Sequence, residues 1–546
     1  MNQLPTELLH LIISQSDRKS IRSICKVAKR ISMVATPYLY ESVVIFISES
    51  DIANSPDKLK DISLPNLQYA RHLSFESRSQ TLCRRCYLDN EFILEEVPMS
   101  PWYHNAPPRV RPAISLDVKN GVYSVINAIP EDRLQSFSWN LGTRYPEELV
   151  EDVIQSALRK QTNISEISLT TDYRSCRGPF SSFSIDLVPF KELRSLTWKG
   201  LSRDDNFDSI RDCIRAHRKQ LTTLALHFVD SDIAGQPMPC ELLATDILAI
   251  PPNGMYKDVI PGLEHLSLSM VSFTFVAFRI IGALNFPRLL SLELWNCSQY
   301  IYILMIIVHI DKTNKAQPSE VGYRQYLSLN KFTLIMDKPG TLPDGTVGPP
   351  GLDQCVLFRF LLTFKGLRSV RLGLWGATYW NLVARGLLNH GDTLKYVIMH
   401  SEGRKEEDSG IELFYNIPWS KEIGCLCDIP SLIGLGITMQ PWVLAENWKT
   451  RNSRPSCKIL HIRSTGETSA AWTPPATLGG PRGRVGTGNF SAFADWVFGT
   501  DGCPALSVLA CGDFSFDARY GGGGRVFQRD GNGYRDVTRS KSRYFT

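Results

Sequence analysis

A six-residue unit recurs along this chain and constrains its fold more than any other feature. It reads as a Leu or Ile, two mostly polar residues, an apolar residue, one further residue, and a second apolar residue. Copies stand at 70–75, 134–139, 164–169, 193–198, 221–226, 263–268, 289–294, 367–372 and 394–399, with weaker ones at 432–437 and 457–462. The last two apolar positions alternate with polar ones, as a strand with one buried face requires, and the first fills the turn before it. Many successive copies start roughly 26–30 residues apart. The residues between must climb back to begin the next strand, and several of these stretches carry helical signals. Pro146 followed by Glu147 and Glu148 suits the positive end of a helix, and 208–217 reads as a second helix. A single unit would leave an apolar edge in water, and stacking buries it.

The strand motif and its period resemble leucine-rich repeats. The resemblance implies an α/β fold built as an irregular solenoid over residues 60–520. The Asn or Cys that follows the strand in that family appears clearly once, as Asn296-Cys297 after Leu294. Interruptions at 237–255, 312–326 and 338–351 have the Pro, Gly and polar content of loops, which in a solenoid project from one edge. The aliphatic run 300–310 is too short to span a bilayer and reads as a buried strand or helix.

The first forty residues carry a second motif. Leu4-Pro5-Thr6-Glu7-Leu8-Leu9 leads into Ile12, and Ile21, Ile24, Val27, Ala28 and Ile31 follow at helical spacing among basic residues. Pro5 suits the first position of a helix, where its missing N–H costs nothing. Helices this small bury little of their own apolar surface and gain by packing on something else. By spacing alone, the segment is either a docking unit or a helical cap on the larger domain. Its residues resemble an F-box: Leu4, Pro5, Glu7, Leu8, Leu9, Ile12, Ile21, Ile24, Cys25, Val27 and Arg30 match, and Pro37-Tyr38-Leu39-Tyr40 matches the usual exit. The loop 14–20 is short, and Ala28 stands where a larger residue or cysteine is common. The resemblance implies an F-box-like helical domain at 1–45. That domain would bind the adaptor subunit of a cullin-type ubiquitin ligase through Leu4, Pro5, Leu8, Leu9, Ile12, Ile21, Ile24 and Val27.

Toward the other end, 464–489 lacks apolar periodicity and reads as a disordered insertion. Structure resumes at 490–499, and 506–510 reads as a final strand. The segment 512–520 resembles the close of large fungal F-box proteins with degenerate leucine-rich repeats, where it caps the array. The Gly- and Arg-rich tail, 521–546, is expected to be disordered.

Sixty basic and 55 acidic residues leave a net charge of +5, too balanced for a dedicated nucleic-acid binder of this length. Glu7 and Pro5 fall where a secretory leader needs an apolar run, and thirteen irregularly spaced cysteines suit a reducing compartment. A cytoplasmic or nuclear location is expected. Cys83-Arg84-Arg85-Cys86 offers half a zinc site with no second pair, and Gly521-Gly522-Gly523-Gly524 lacks the Lys-Ser or Lys-Thr of a phosphate loop. No catalytic residue, metal site or cofactor is expected.

The combined reading is a substrate-recognition subunit, with a repeat scaffold free of any ligase as the alternative. In a strand-lined solenoid the residues between the buried strand positions face the target. Trp295 and Trp375, each following a strand leucine, either serve as target-binding anchors on that face or turn inward and pack between repeats.

Overall fold

A computed structural model of the chain describes residues 4–47, 64–77, 110–141, 147–171, 185–201, 207–228, 237–250, 260–274, 277–316, 327–336, 352–375, 379–402, 404–405, 412–413, 417–450, 455–463, 488–500, 502–512, 525–531 and 533–538. The chain divides into two compact units, Met1–Leu263 and Glu264–Thr546. Both are α/β, with a sheet of parallel strands and helices in the connections.

The first unit opens with three helices, α1 (Thr6–Ser14), α2 (Arg18–Ile24) and α3 (Lys29–Tyr40), leading directly into β1 (Ser42–Ile47). The sheet continues through β2 (His72–Ser77), β3 (Ser136–Asn140), β4 (Glu166–Thr170), β5 (Ser195–Leu201) and β6 (Thr223–Phe228), each parallel to the one before. Helices α4 (Val110–Asn127), α5 (Glu147–Asp152) and α6 (Asp208–His217) fill three of the connections. The α6 residues Ile210, Cys213, Ile214 and His217 are buried while Arg215 is exposed, the stripe an amphipathic helix presents.

The second unit repeats this plan. Strands β7 (His265–Ser269), β8 (Ser291–Trp295), β9 (Lys331–Ile335), β10 (Ser369–Trp375), β11 (Tyr396–Glu402), β12 (Gly434–Ile437), β13 (Ile459–Ile462) and β14 (Val508–Cys511) run parallel in chain order. The connections hold α7 (Ala277–Ala283), α8 (Ile301–Ala316), α9 (Leu352–Leu361), α10 (Trp380–Leu388), α11 (Lys421–Cys427), α12 (Pro441–Lys449) and α13 (Gly488–Phe498).

All of the recurring sequence units end in strands, and in the second unit the apolar residues that lead into them, Leu289, Leu367, Leu394, Leu432, Cys457 and Leu506, are all buried. Within each unit a repeated backbone step joins one strand's entry to the next. The carbonyl of Arg71 accepts the N–H groups of both Gln135 and Ser136, Gln135 those of Ser165 and Glu166, and Ser165 those of Arg194 and Ser195. The same double acceptance runs from Glu264 through Leu290, Asn330, Arg368, Lys395, Ile433 and Lys458 to Ser507 and Val508. It pins strand register at the point where the chain enters each strand.

Three expectations change. The supposed loop 237–255 contains buried helical turns over Cys240–Ile247, because Cys240, Leu243, Ala244 and Ile247 recur at helical spacing behind Pro239. The expected loop at 312–326 starts later, because the run expected as a buried strand or helix forms the helix α8, which continues to Ala316. The tail is not wholly disordered: β15 (Arg525–Asp530) pairs antiparallel with β14, and β16 (Gly533–Asp536) pairs antiparallel with β15. Phe527 is buried, and the Arg529 guanidinium donates to the carbonyls of Leu506 at 2.7 Å, Cys503 at 2.9 Å and Phe498 at 3.0 Å. The expected disorder over 464–487, the Cys83–Cys86 pair and the Gly521–Gly524 run lie outside the described residues.

Candidate functional site

The N-terminal helices form a small unit with a core of their own. Leu9, Ile13, Ile21 and Ala35 are buried together, and Leu4, Ile24, Cys25, Val34, Tyr38 and Leu39 pack against them. Local chemistry sets the helix starts. Pro5 is the N-cap of α1, one position ahead of the expected N1, and the Asp17 carboxylate caps α2 by accepting from the Ser20 N–H at 2.9 Å and its hydroxyl at 2.8 Å. Those bonds hold the Asp17 carboxyl below its usual range. Arg30 of α3 donates to the Leu4 carbonyl at 2.9 Å, and His10 meets the Tyr38 hydroxyl at 3.1 Å, tying α1 to α3 at both ends.

The expected adaptor-binding residues therefore divide. Leu9 is 2 % exposed and Ile21 is 6 % exposed, so both belong to the core. Leu4 and Ile24 are half-buried against that core, and Pro5 is exposed. Leu8, Ile12 and Val27 stand in solvent at 46 %, 44 % and 66 % exposure. Leu11 and Met33, not foreseen from the sequence, are also exposed. Leu8, Leu11 and Ile12 share one face of α1 by their spacing, about a third of a turn round the helix from the stripe of Leu9 and Ile13. Natural surfaces do expose single apolar residues, but three on one short helical face make a patch suited to docking.

A second candidate surface is the strand face turned away from the buried leucines. In the first unit it is paved with small hydroxyls, and Ser74, Ser138, Ser168 and Thr197 lie in register across four strands. In the second unit it carries larger groups. Glu293 of β8 pairs with Lys331 of β9 at 2.6 Å and accepts from the Trp295 indole N–H at 3.3 Å. The Arg371 guanidinium of β10 lies 5.1 Å over the Trp295 ring. Trp295 is thus half-buried and held from two sides, while Trp375 ends β10 with its side chain outside the described residues.

Beside this group, His400 of β11 and His461 of β13 meet edge to face, with ring centroids 5.0 Å apart and planes at 79°. The His461 Nε2 meets the Gly512 carbonyl at 2.7 Å, whereas the buried His400 Nε2 has no partner. Burial, then His461, Arg463 and Arg371, hold the His400 imidazole well below the usual range and keep it neutral. Nothing in the sequence pattern flagged this pair, since a single His at a strand position has the same spacing as any polar residue.

Among the described residues, no group of three or more His, Cys, Asp or Glu side chains could hold a metal ion, and no helix is long and apolar enough to cross a membrane. The described cysteines are free thiols, and burial pushes Cys213, Cys297, Cys457 and Cys511 up to about 12, away from nucleophilic chemistry. No family model and no curated protein matches the chain.

Proposed function

We propose that this chain is a substrate-recognition subunit of a cullin-type ubiquitin ligase, an F-box-like helical unit followed by a degenerate leucine-rich-repeat solenoid. One observation carries the reading. The N-terminal helices close a core of their own with Leu9, Ile13, Ile21 and Ala35, yet leave Leu8, Leu11 and Ile12 in solvent on one face. A helical cap serving only the larger domain has no reason to keep that face apolar. In this reading the patch docks on the adaptor and the strand face meets a target protein. The chain does no chemistry of its own. It raises the effective concentration of a target lysine near a ubiquitin-loaded enzyme.

The test is capture of purified adaptor by the full chain. Leu8→Asp combined with Ile12→Asp places two charges on an exposed face, so folding is retained and capture is lost. Unchanged circular dichroism with unchanged capture would overturn the assignment. Leu9→Asp is the contrasting variant, because it buries a charge in the helical core and unfolds that unit.

A further inference from the structure

We propose that the helical face of the second unit, over α7, α8 and α9, rests on an anionic lipid surface. This face lies across the sheet from the strand face, so the two surfaces are open to different partners at once.

Parallel strands joined in chain order place their connecting helices on one side of the sheet, and α8 packs between α7 and α9 there. Burial divides α8 into two stripes. Ile303, Leu304, Ile307 and Asp311 turn inward and are buried. Tyr302, Met305, Ile306, His309 and Ile310 are spaced as one outward face. A helix at a protein surface ordinarily turns charged and polar residues to water, and this one turns out methionine and isoleucine, with Met305 50 % exposed. The neighbours continue the pattern. Phe278 of α7 is 52 % exposed, and Cys355, Phe358 and Leu362 share the outward side of α9 and its end, Leu362 at 45 %. Helix α6 of the first unit shows the ordinary case, where Asp208 pairs with Arg211 and Asp212 with Arg215 along the surface. Large apolar side chains standing out on three neighbouring helices exceed the scattered exposure of a normal surface.

The charges on this face select the occupant. Helices α7 to α10 hold two acids, Asp311 and Asp353. Asp311 is buried, and the half-buried Asp353 carboxylate accepts the Tyr300 hydroxyl. Arg279, Lys312 and Arg359 reach the surface of the same helices, and among the described residues no acid pairs with any of the three. Arg385 of α10 lies 5.9 Å over the Phe358 ring and within the field of Glu422 on α11, which closes the positive face on that side. The connections 317–326 and 337–351, outside the described residues, bring Glu320, Asp337 and Asp344 against Arg324 and Lys338, too few to reverse the sign. A second copy docked through this face would set the cations against themselves. A bound protein helix needs a groove, whereas side chains that stand out as knobs sink into lipid. Anionic headgroups attract Arg279, Lys312 and Arg359, while Phe278, Met305 and Leu362 enter the boundary between headgroups and acyl chains. No described helix is long and apolar enough to cross a membrane, so the contact runs along the surface.

The test is flotation of the full chain with phosphatidylcholine vesicles, with and without phosphatidylserine, at low and high salt. The expected result is binding to the phosphatidylserine vesicles alone, weakened by salt. Arg279→Gln, Lys312→Gln and Arg359→Gln should each lower the partition about fivefold, and the three together about a hundredfold. Phe278→Ser combined with Met305→Ser leaves the charge intact and should lower it at least about tenfold. Circular dichroism checks that each variant is folded. If one is not, Phe278→Trp gives a second readout, because the added indole should be quenched by brominated lipid in the anionic vesicles. Equal binding to both vesicles, binding to neither, indifference to the charge or apolar substitutions, or an added indole that brominated lipid leaves unquenched overturns the proposal. Soluble poly-glutamate that binds more tightly than the vesicles, and loses binding with the same substitutions, overturns it in favour of an acidic protein. Self-association in size-exclusion chromatography that Met305→Ser abolishes overturns it in favour of a second copy.

Discussion

Burial decides the protonation state of His390, against the pull of one of its two hydrogen bonds. The ring is 2 % exposed, its Nε2–H donates to the Leu361 carbonyl at 2.9 Å, and its Nδ1 accepts the Leu367 N–H at 3.4 Å. Only the second bond needs the neutral imidazole, since the donation to Leu361 favours the charged ring, and burial, the dominant cause, still pulls its pKa down to about 4. The unfolded chain binds a proton there near the ordinary value of about 6.5. A depressed pKa of this kind contributes stability that is fully present above about 6.5 and is lost as pH falls toward 4, on the order of 3 kcal/mol. His217 and His400 shift in the same direction. Denaturant melts at successive pH values should show stability dropping through this window, with a shallower drop in His390→Gln. Gly200 makes a different kind of demand. Its φ is +86°, and a Cβ there would fall on the Thr171 carbonyl oxygen, whose residue's N–H donates to Lys199 at 2.8 Å. Gly200→Ala must therefore distort backbone at the bulge in β5, and a loss of roughly 3 kcal/mol is expected in the same melts.

Among the elements, the terminal hairpin has the largest structural role that the sequence concealed. It covers the open edge of β14, places Phe527 in the core and lets Arg529 satisfy three carbonyls at the end of the preceding coil. Removing residues 521–546 should expose that edge and its apolar face, lowering the melting temperature and promoting association visible by size-exclusion chromatography. Arg529→Ala alone should remove about 2 kcal/mol. The glycine run at 521–524 and the surrounding arginines dominated the composition there, yet the Asp530-Gly531-Asn532-Gly533 turn between two short alternating segments was a legible hairpin signal. Strand β9 was hidden for a related reason. Leu329, Phe332 and Leu334 keep the repeat spacing, but Phe replaces the usual Leu between two long interruptions. The other strands were legible because alternation is a local property. The inward stripe of α1 was not, since Leu8, Leu11 and Ile12 form as apolar a stripe as Leu9 and Ile13. Only contact with α2 and α3 decides which one is buried.

At the scale of the whole molecule, each strand within a unit pairs only with those before and after it in the sheet, so stability is a sum of local terms. Leu372→Ala should remove about 3 kcal/mol from its own neighbourhood. Hydrogen exchange should then quicken in β9, β10 and β11 while β2, β3 and β4 keep their protection. The same locality bounds what could be read of function. The apolar N-terminal segment was visible because its residues are consecutive. The Arg371, Trp295, His400 and His461 group was not, because its members come from four strands that only register places together. That register depends on the doubly accepting carbonyl at each coil entry, which steps from Leu290 to Asn330 as readily as from Glu264 to Leu290. Nothing in the step measures how many residues lie between. Coil length is therefore free to drift over evolutionary time. Whole segments can be gained or lost between coils while each retained strand meets the neighbour it met before.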